Sequence, residues 1–171
     1  MYVRLALFIS LIFSNHVTLS QEFEVPKNYT LKTKNDYPRY NKDIVKCVNW
    51  LENTPITQQS EKREEALKFL EKWILGSPVN FPYDTDMIPQ SFNNSELMED
   101  FMGGWVKYLI EHNNIVDTVK GTVSGFHTAF KIYKANKVLF KTDRLLIFLL
   151  KLDEKSELEK WLNDGILKHL F

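Results

Sequence analysis

VDTVKGTVSGFHTAFKIYKAN, residues 116–136, carries apolar side chains on two opposite faces of one helix. Large residues recur every three or four positions on the first face: Val116, Val119, Val123, Phe126, Phe130 and Tyr133. At about 100° per residue, small or apolar residues fall on the other face: Gly121, Gly125, Thr128, Ala129 and Ile132. If this second face of the helix were exposed to solvent, it would normally carry Lys and Glu instead. The segment therefore predicts a central helix that packs on two sides and is the most enclosed element of the domain.

The glycines of this helix indicate how a neighbour packs against it. Gly121 and Gly125 are four residues apart, so both lack a side chain on the same side of the helix. A neighbouring backbone can then come closer than the usual interaxial distance of about 8–10 Å. We expect Gly121 and Gly125 to be buried against another helix.

A second pair of glycines lies in FMGGWVKYLIEH, residues 101–112. Each interior glycine costs a helix roughly 0.5–1 kcal/mol relative to alanine, so Gly103 and Gly104 require a reason. Both fall at the edges of the apolar arc, beside charged positions that include Asp100 and Glu111. We interpret the pair as helix-packing positions; the alternative is the floor of a ligand groove.

The rest of the chain continues the helical pattern. No segment alternates with a period of two between turn signals, so we expect almost no sheet. Helices are predicted at about 41–53, 60–75, 95–112, 116–136, 142–153 and 156–165, with Gly76 and Gly165 just beyond the ends of two of them. The sequence predicts an all-α, single-domain bundle of five to six helices over residues 41–171. An irregular, extended arm, residues 21–40, precedes it.

The first twenty residues are typical of a secretory signal peptide. MYVR carries one cation, LALFISLIF is an apolar run of nine, and small polar residues follow. Thr18 and Ser20 occupy the −3 and −1 positions if cleavage falls before Gln21. The alternative, a membrane anchor, is disfavoured because a spanning helix needs about 20 apolar residues. We therefore expect no membrane span after signal cleavage, and a periplasmic or secreted protein.

Composition and motifs argue against several function classes. The 22 basic and 22 acidic residues give a formal net charge of zero, so the overall charge gives no reason to expect a nucleic-acid partner. The sequence predicts no cofactor and no metal site, because it lacks a phosphate-binding loop and its histidines lack the i, i+4 spacing of zinc helices. Its one cysteine, Cys47, lies on an apolar helical face, where we expect it to pack as a small hydrophobic residue.

Two groups of charged residues are candidates for a site. The first, Lys120, His127, Lys131 and Lys134, shares one side of the helix at 116–136 and could meet an anionic ligand or an acidic partner surface. The alternative is a solvated strip whose lysine stems cover the core edge. The second comprises carboxylates beside Gly103 and Gly104, among them Asp100 and Glu111. Glycoside hydrolysis needs two carboxyl groups about 5–9.5 Å apart across a cleft.

Four segments carry a family resemblance: NKDIVKCVNWLENTP at 41–55, KWILGSP at 72–78, FMGGWVKYLIE at 101–111 and GFHTAFKIYKANK at 125–137. Together they resemble an uncharacterised group of small exported all-helical proteins from Gram-negative bacteria. The resemblance implies a signal peptide, a periplasmic location and a helical fold, and it implies no activity or site residue. Our leading hypothesis is a non-catalytic exported module that binds a protein partner or a small ligand. The alternative is a cell-envelope hydrolase that uses a carboxylate near Gly103 and Gly104.

Overall fold

Residues 23–79, 82–93 and 95–169 are described by the computed structural model, with the backbone alone for residues 166–169. The expected signal peptide lies outside these residues. Across the described ranges the chain forms six α-helices and no β-strand, which confirms the all-α prediction. The helices are α1 (Asn41–Asn53), α2 (Ser60–Gly76), α3 (Glu96–Glu111), α4 (Thr118–Ala135), α5 (Arg144–Glu154) and α6 (Leu158–His169).

Side-chain caps define the starts of two helices. The carboxylate of Asp117 accepts a hydrogen bond from the Lys120 backbone N–H at 3.0 Å, where α4 begins. Asp143 accepts one from the Leu146 N–H at 2.8 Å, at the start of α5. An acceptor at this position satisfies a backbone donor that the first turn of a helix leaves free.

Two helix ends differ from the sequence-based expectation. Gly76 is the last helical residue of α2 rather than a left-handed cap, and the Tyr37 hydroxyl occupies the place where a side chain would begin. Gly165 does not end α6, which continues to His169. Left-handed backbone follows α3 at Asn113, and asparagine tolerates that conformation better than most residues.

The arm packs against the domain along its described part, residues 23–40. Phe23 is 2% exposed, and Tyr37 is also buried. The indole N–H of Trp73 on α2 donates to the Tyr37 carbonyl oxygen at 3.1 Å. These contacts place the arm in a core cluster with α1 and α2, while α3, α4, α5 and α6 supply the other core cluster.

Helix α3, rather than α4, is the most enclosed helix of the fold. Only Glu111 of α3 is exposed, whereas α4 exposes Lys120, His127, Lys131, Lys134 and Ala135. The prediction that α4 is the most enclosed is therefore wrong. The reason is that α3 contacts α1 and α2 on one side and α4 on the other, so it lies between the two core clusters.

Three glycines lie at the crossing of α3 and α4. A Cβ atom at Gly125 would lie 2.7 Å from the carbonyl oxygen of Phe101, and one at Gly104 would lie 2.6 Å from that of Ser124. A Cβ atom at Gly121 would overlap the indole of Trp105. The Ser124 hydroxyl also donates to the Gly104 carbonyl oxygen at 2.9 Å. These positions are filled by protein atoms, so they leave no open groove.

Gly103 faces the opposite side of α3. A Cβ atom there would lie 3.0 Å from a methyl group of Leu70 on α2 and 3.2 Å from one of Val48 on α1. All four glycines of α3 and α4 are buried. Gly103 therefore serves the contact with α1 and α2, while the other three serve the contact between α3 and α4.

Candidate functional site

The predicted basic strip is exposed, but three of its four members have partners in the same chain. His127 and Lys134 both contact Asp153 of α5, with Nε2···Oδ1 and Nζ···Oδ2 distances of 3.0 and 3.1 Å. One carboxylate thus lies between two members of the strip. The Lys134–Asp153 ion pair contributes little to stability, yet it reduces the positive charge available to an anionic ligand.

The other two members of the strip lie in different surroundings. Lys131 donates to the Asn53 side chain at 2.8 Å and lies 3.8 Å from a Glu52 carboxylate oxygen. Lys120 borders a polar surface pocket together with Asp117 and Lys160. The four residues are therefore distributed over three local environments, and they do not converge on one site.

Asp100 lies in the interior, whereas the sequence made it a candidate for a ligand or partner surface. The residue is 1% exposed, and neither carboxyl oxygen has a hydrogen-bond partner. Burial raises the pKa of this carboxyl well above its ordinary value, and the charge of Glu96 raises it further, while Arg63 acts in the opposite direction. The helical pattern placed Asp100 at the edge of the apolar arc of α3, and the sequence could not show that α1 and α2 cover that edge.

A buried arginine lies in the same region and was not singled out from the sequence. Arg63 is 3% exposed and pairs with Glu96, its Nε donating at 2.5 Å. Its Nη1 donates to the backbone carbonyl oxygens of Leu51 at 3.2 Å and Thr54 at 2.8 Å. One guanidinium thereby joins the end of α1, the start of α2 and the start of α3. In the sequence it is one charge in the run SEKREE.

The two carboxylates singled out on α3, Asp100 and Glu111, do not form a catalytic pair with each other. Asp100 and Glu111 are eleven residues apart on α3, which corresponds to about 16 Å along the helix axis. That separation exceeds the range of about 5–9.5 Å that glycoside hydrolysis requires. Neither residue lines any of five pockets found on the described surface. This pair therefore offers no cleft for a substrate.

Asp100 predicts a pH dependence of stability. Its folded pKa is raised, so the folded state keeps a proton that the unfolded state releases above about pH 4. The wild-type free energy of unfolding should lose up to about 1.4 kcal/mol per pH unit from this group as pH rises from 4 toward the folded pKa. Asp100→Asn should lack this loss, so its stability relative to wild type should increase over that range. Urea unfolding at several pH values measures the difference.

The control for this prediction is Glu111→Gln, which removes an exposed carboxylate from the same helix. Its stability curve should run parallel to that of the wild type. Parallel curves for Asp100→Asn as well would show that Asp100 ionises normally in the folded protein, and the described burial would then be wrong.

An open apolar groove lies between α2 and α3. Two neighbouring cavities, of about 250 and 400 Å³, share Ile74, Leu75 and Met102. Met98 lines the smaller cavity, and Tyr83 lines the larger one. We refer to this surface as the α2–α3 groove.

The apolar lining of the groove is accessible to a partner. The Leu75 side chain, at the end of α2, is 76% exposed, while Ile74 beneath it is 7% exposed. Met98 and Met102 are four residues apart on α3 and half-buried. Methionine is unbranched and polarizable, so it adapts to differently shaped apolar groups. The groove therefore provides an apolar surface that can adjust to what it contacts.

Two carboxylates border the groove at one end. Glu71 of α2 and Glu99 of α3 line the smaller cavity together. Burial raises the pKa of Glu99, and the charges of Glu96 and Glu71 raise it further. Within the described residues neither Glu71 nor Glu99 has an ion pair, whereas Glu96 is paired with Arg63. This end of the groove therefore carries uncompensated negative charge.

The sequence contained a weak signal for the groove. Leu75 lies beside the apolar stripe of α2 rather than on it. Met98 and Met102 make the apolar face of α3 wider than a single neighbouring helix can cover. Periodicity shows that such residues are apolar, but it does not show which of them a neighbouring helix leaves open.

Comparison with known proteins returns no match: no family model, no curated protein and no solved structure is similar to this chain. The resemblance to small exported helical proteins therefore stays a prediction. Among the described helices, none combines the length and apolar character needed to cross a bilayer. The described residues also contain no group of three or more His, Cys, Asp or Glu side chains placed to hold a metal ion.

Proposed function

We propose that this protein is an exported, non-catalytic helical module, periplasmic or secreted, that binds a protein partner through the α2–α3 groove. The observation that carries the proposal is the open apolar lining of the groove, with Leu75 76% exposed at its edge. Accessible apolar surface in a concave setting is typical of sites that bind another molecule.

The shape of the groove favours a polypeptide over a small ligand. Sites for small molecules usually enclose most of the ligand surface. The two cavities here are open to solvent and adjoin each other at Ile74, Leu75 and Met102. An elongated apolar surface of this kind suits the side chains of a bound segment, as in the recognition of helices by grooves.

A cell-envelope hydrolase remains the alternative, and it would have to use Glu99 with Glu71. The raised pKa of Glu99 suits a general acid, which is the observation in its favour. However, methionine and aliphatic side chains dominate the lining beside these carboxylates, and Ser95 is the only neutral polar residue among the described residues of the smaller cavity. Sugar hydroxyl groups need hydrogen-bonding partners, so this lining fits an apolar partner better.

Site-specific photocrosslinking in the native host tests the proposal. A photoreactive amino acid at Leu75 should form a covalent adduct with a specific partner protein, because this side chain lies at the groove edge. The same amino acid at Val138, which is 96% exposed and lies outside the groove, should give no such adduct. Mass spectra of the adduct also report the N-terminus, which is expected at Gln21. Adducts of equal yield at both positions, or at neither, would contradict the proposed site.

A further inference from the structure

The negative charge beside the α2–α3 groove defines the chemistry of its occupant. We propose that the groove binds an amphipathic helix of a partner protein, with apolar residues on one face and Lys or Arg beside them. This inference rests on the proposed function, and it adds the charge and the conformation of the bound segment.

The length of the groove matches two turns of helix. Ser95, the residue just before α3, and Met102 both line the smaller cavity and are seven residues apart, or about 10 Å along the helix axis. A bound helix covers the same distance between residues i and i+7. Its side chains at i, i+4 and i+7 lie on one face, and they would contact the surface formed by Met98, Met102 and Leu75.

The carboxylates set the charge of the bound helix. Glu71 and Glu99 lie beside an apolar surface, where water screens charge less than it does in bulk solvent. An acidic helix would add like charge to a place where neighbouring charges already raise the pKa of Glu99. A Lys or Arg flanking the apolar face would compensate both carboxylates. Charge complementarity therefore favours a basic amphipathic helix, and it disfavours an anionic lipid surface.

Binding of synthetic peptides to the protein purified from its own host tests this inference. Three labelled peptides share one set of apolar residues: an amphipathic helix flanked by lysines, the same helix flanked by glutamates, and a lysine peptide with its apolar spacing scrambled. By fluorescence anisotropy the basic amphipathic peptide should bind at least about tenfold more tightly than either of the others. Its affinity should fall as salt is added.

Variants locate the source of this preference. Glu71→Gln with Glu99→Gln should weaken binding of the basic peptide by about 2- to 30-fold, the combined effect of two surface ion pairs, and remove most of its salt dependence. Glu154→Gln with Glu157→Gln makes the same change in net charge at exposed positions outside the groove, and it should leave the affinity unchanged. Circular dichroism verifies that both double variants are folded.

Equal binding of the basic and acidic helices would overturn the inference, and so would an undiminished preference in the Glu71 and Glu99 double variant. Failure of all three peptides to bind would overturn it as well. The function itself would still stand in each case if crosslinking at Leu75 identified a partner. Absence of both the peptide binding and the Leu75 adduct would overturn the inference and the proposed function together.

Discussion

Gly125→Leu is expected to lower the free energy of unfolding by about 3 kcal/mol, at the upper end of the usual range for overpacked sites. A Cβ atom at this position would already lie 2.7 Å from the backbone carbonyl oxygen of Phe101 and from an atom of its ring. A backbone atom inside a packed helix cannot move aside as a flexible side chain can. Leucine would therefore force α3 and α4 apart along their crossing.

Thermal unfolding measures this effect directly. A loss of about 3 kcal/mol should lower the Tm by roughly 6–12 °C for a domain of this size. The control is Gly165→Ala, also inside a helix, where the terminal methyl group of Met87 is the only described group that an added Cβ would meet. This control should be neutral or stabilising by up to about 1 kcal/mol through helix propensity. A Gly125→Leu variant as stable as the wild type would contradict the close crossing of α3 and α4.

Arg63→Ala is expected to have the largest effect, a loss of about 3–5 kcal/mol, because it breaks a buried ion pair by removing one partner. The Glu96 carboxylate would lose its cation, and its side chain is only 17% exposed. The carbonyl oxygens of Leu51 and Thr54 would lose their side-chain donor. Asp100 would also lose the one nearby charge that favours its ionised form.

Urea unfolding of three variants measures the contribution of this arginine. The free energy of unfolding of Arg63→Lys should lie between those of Arg63→Ala and the wild type. An ammonium group cannot reproduce the several donors of the guanidinium, which reach Glu96 and two carbonyl oxygens. Arg39→Ala, which removes a guanidinium that is 72% exposed, should change the stability by less than about 1 kcal/mol. A loss of less than about 1 kcal/mol for Arg63→Ala would show that the guanidinium is hydrated rather than buried.

The helices could be predicted because their signals are local. Apolar residues at spacings of three and four, together with breaks such as Pro55 and Asn113, placed α1 and α4 within about two residues of their observed ends. Gly121 and Gly125 could be interpreted for the same reason, since a spacing of four places both on one side of a helix. Patterns of this kind require no knowledge of distant parts of the chain.

Burial of the charged residues could not be predicted, because it depends on which helices meet. Asp100 and Glu111 look alike in the sequence, yet Asp100 is covered by α1 and α2 while Glu111 is exposed. Arg63 is the one buried member of a charged run, since only its position faces Glu96 and the end of α1. Helical periodicity gives the direction of a side chain and not the identity of its neighbour.

The candidate site was hidden from the sequence for a related reason. The basic strip on α4 could be found because its members share one helix, but their partners Glu52 and Asp153 come from α1 and α5. To predict the α2–α3 groove, one would have to know that no other described element covers Leu75. Open surface is a property of the assembled fold, and no local pattern specifies it.

Methyl NMR of the methionines shows whether a protein partner binds in the α2–α3 groove. The chain has four: Met1 in the expected signal peptide, Met87 in the core at 6% exposed, and Met98 and Met102 in the groove. Addition of the partner identified at Leu75 should shift the methyl signals of Met98 and Met102 and leave that of Met87 unchanged. Binding of that partner with both groove signals unmoved would contradict the claim.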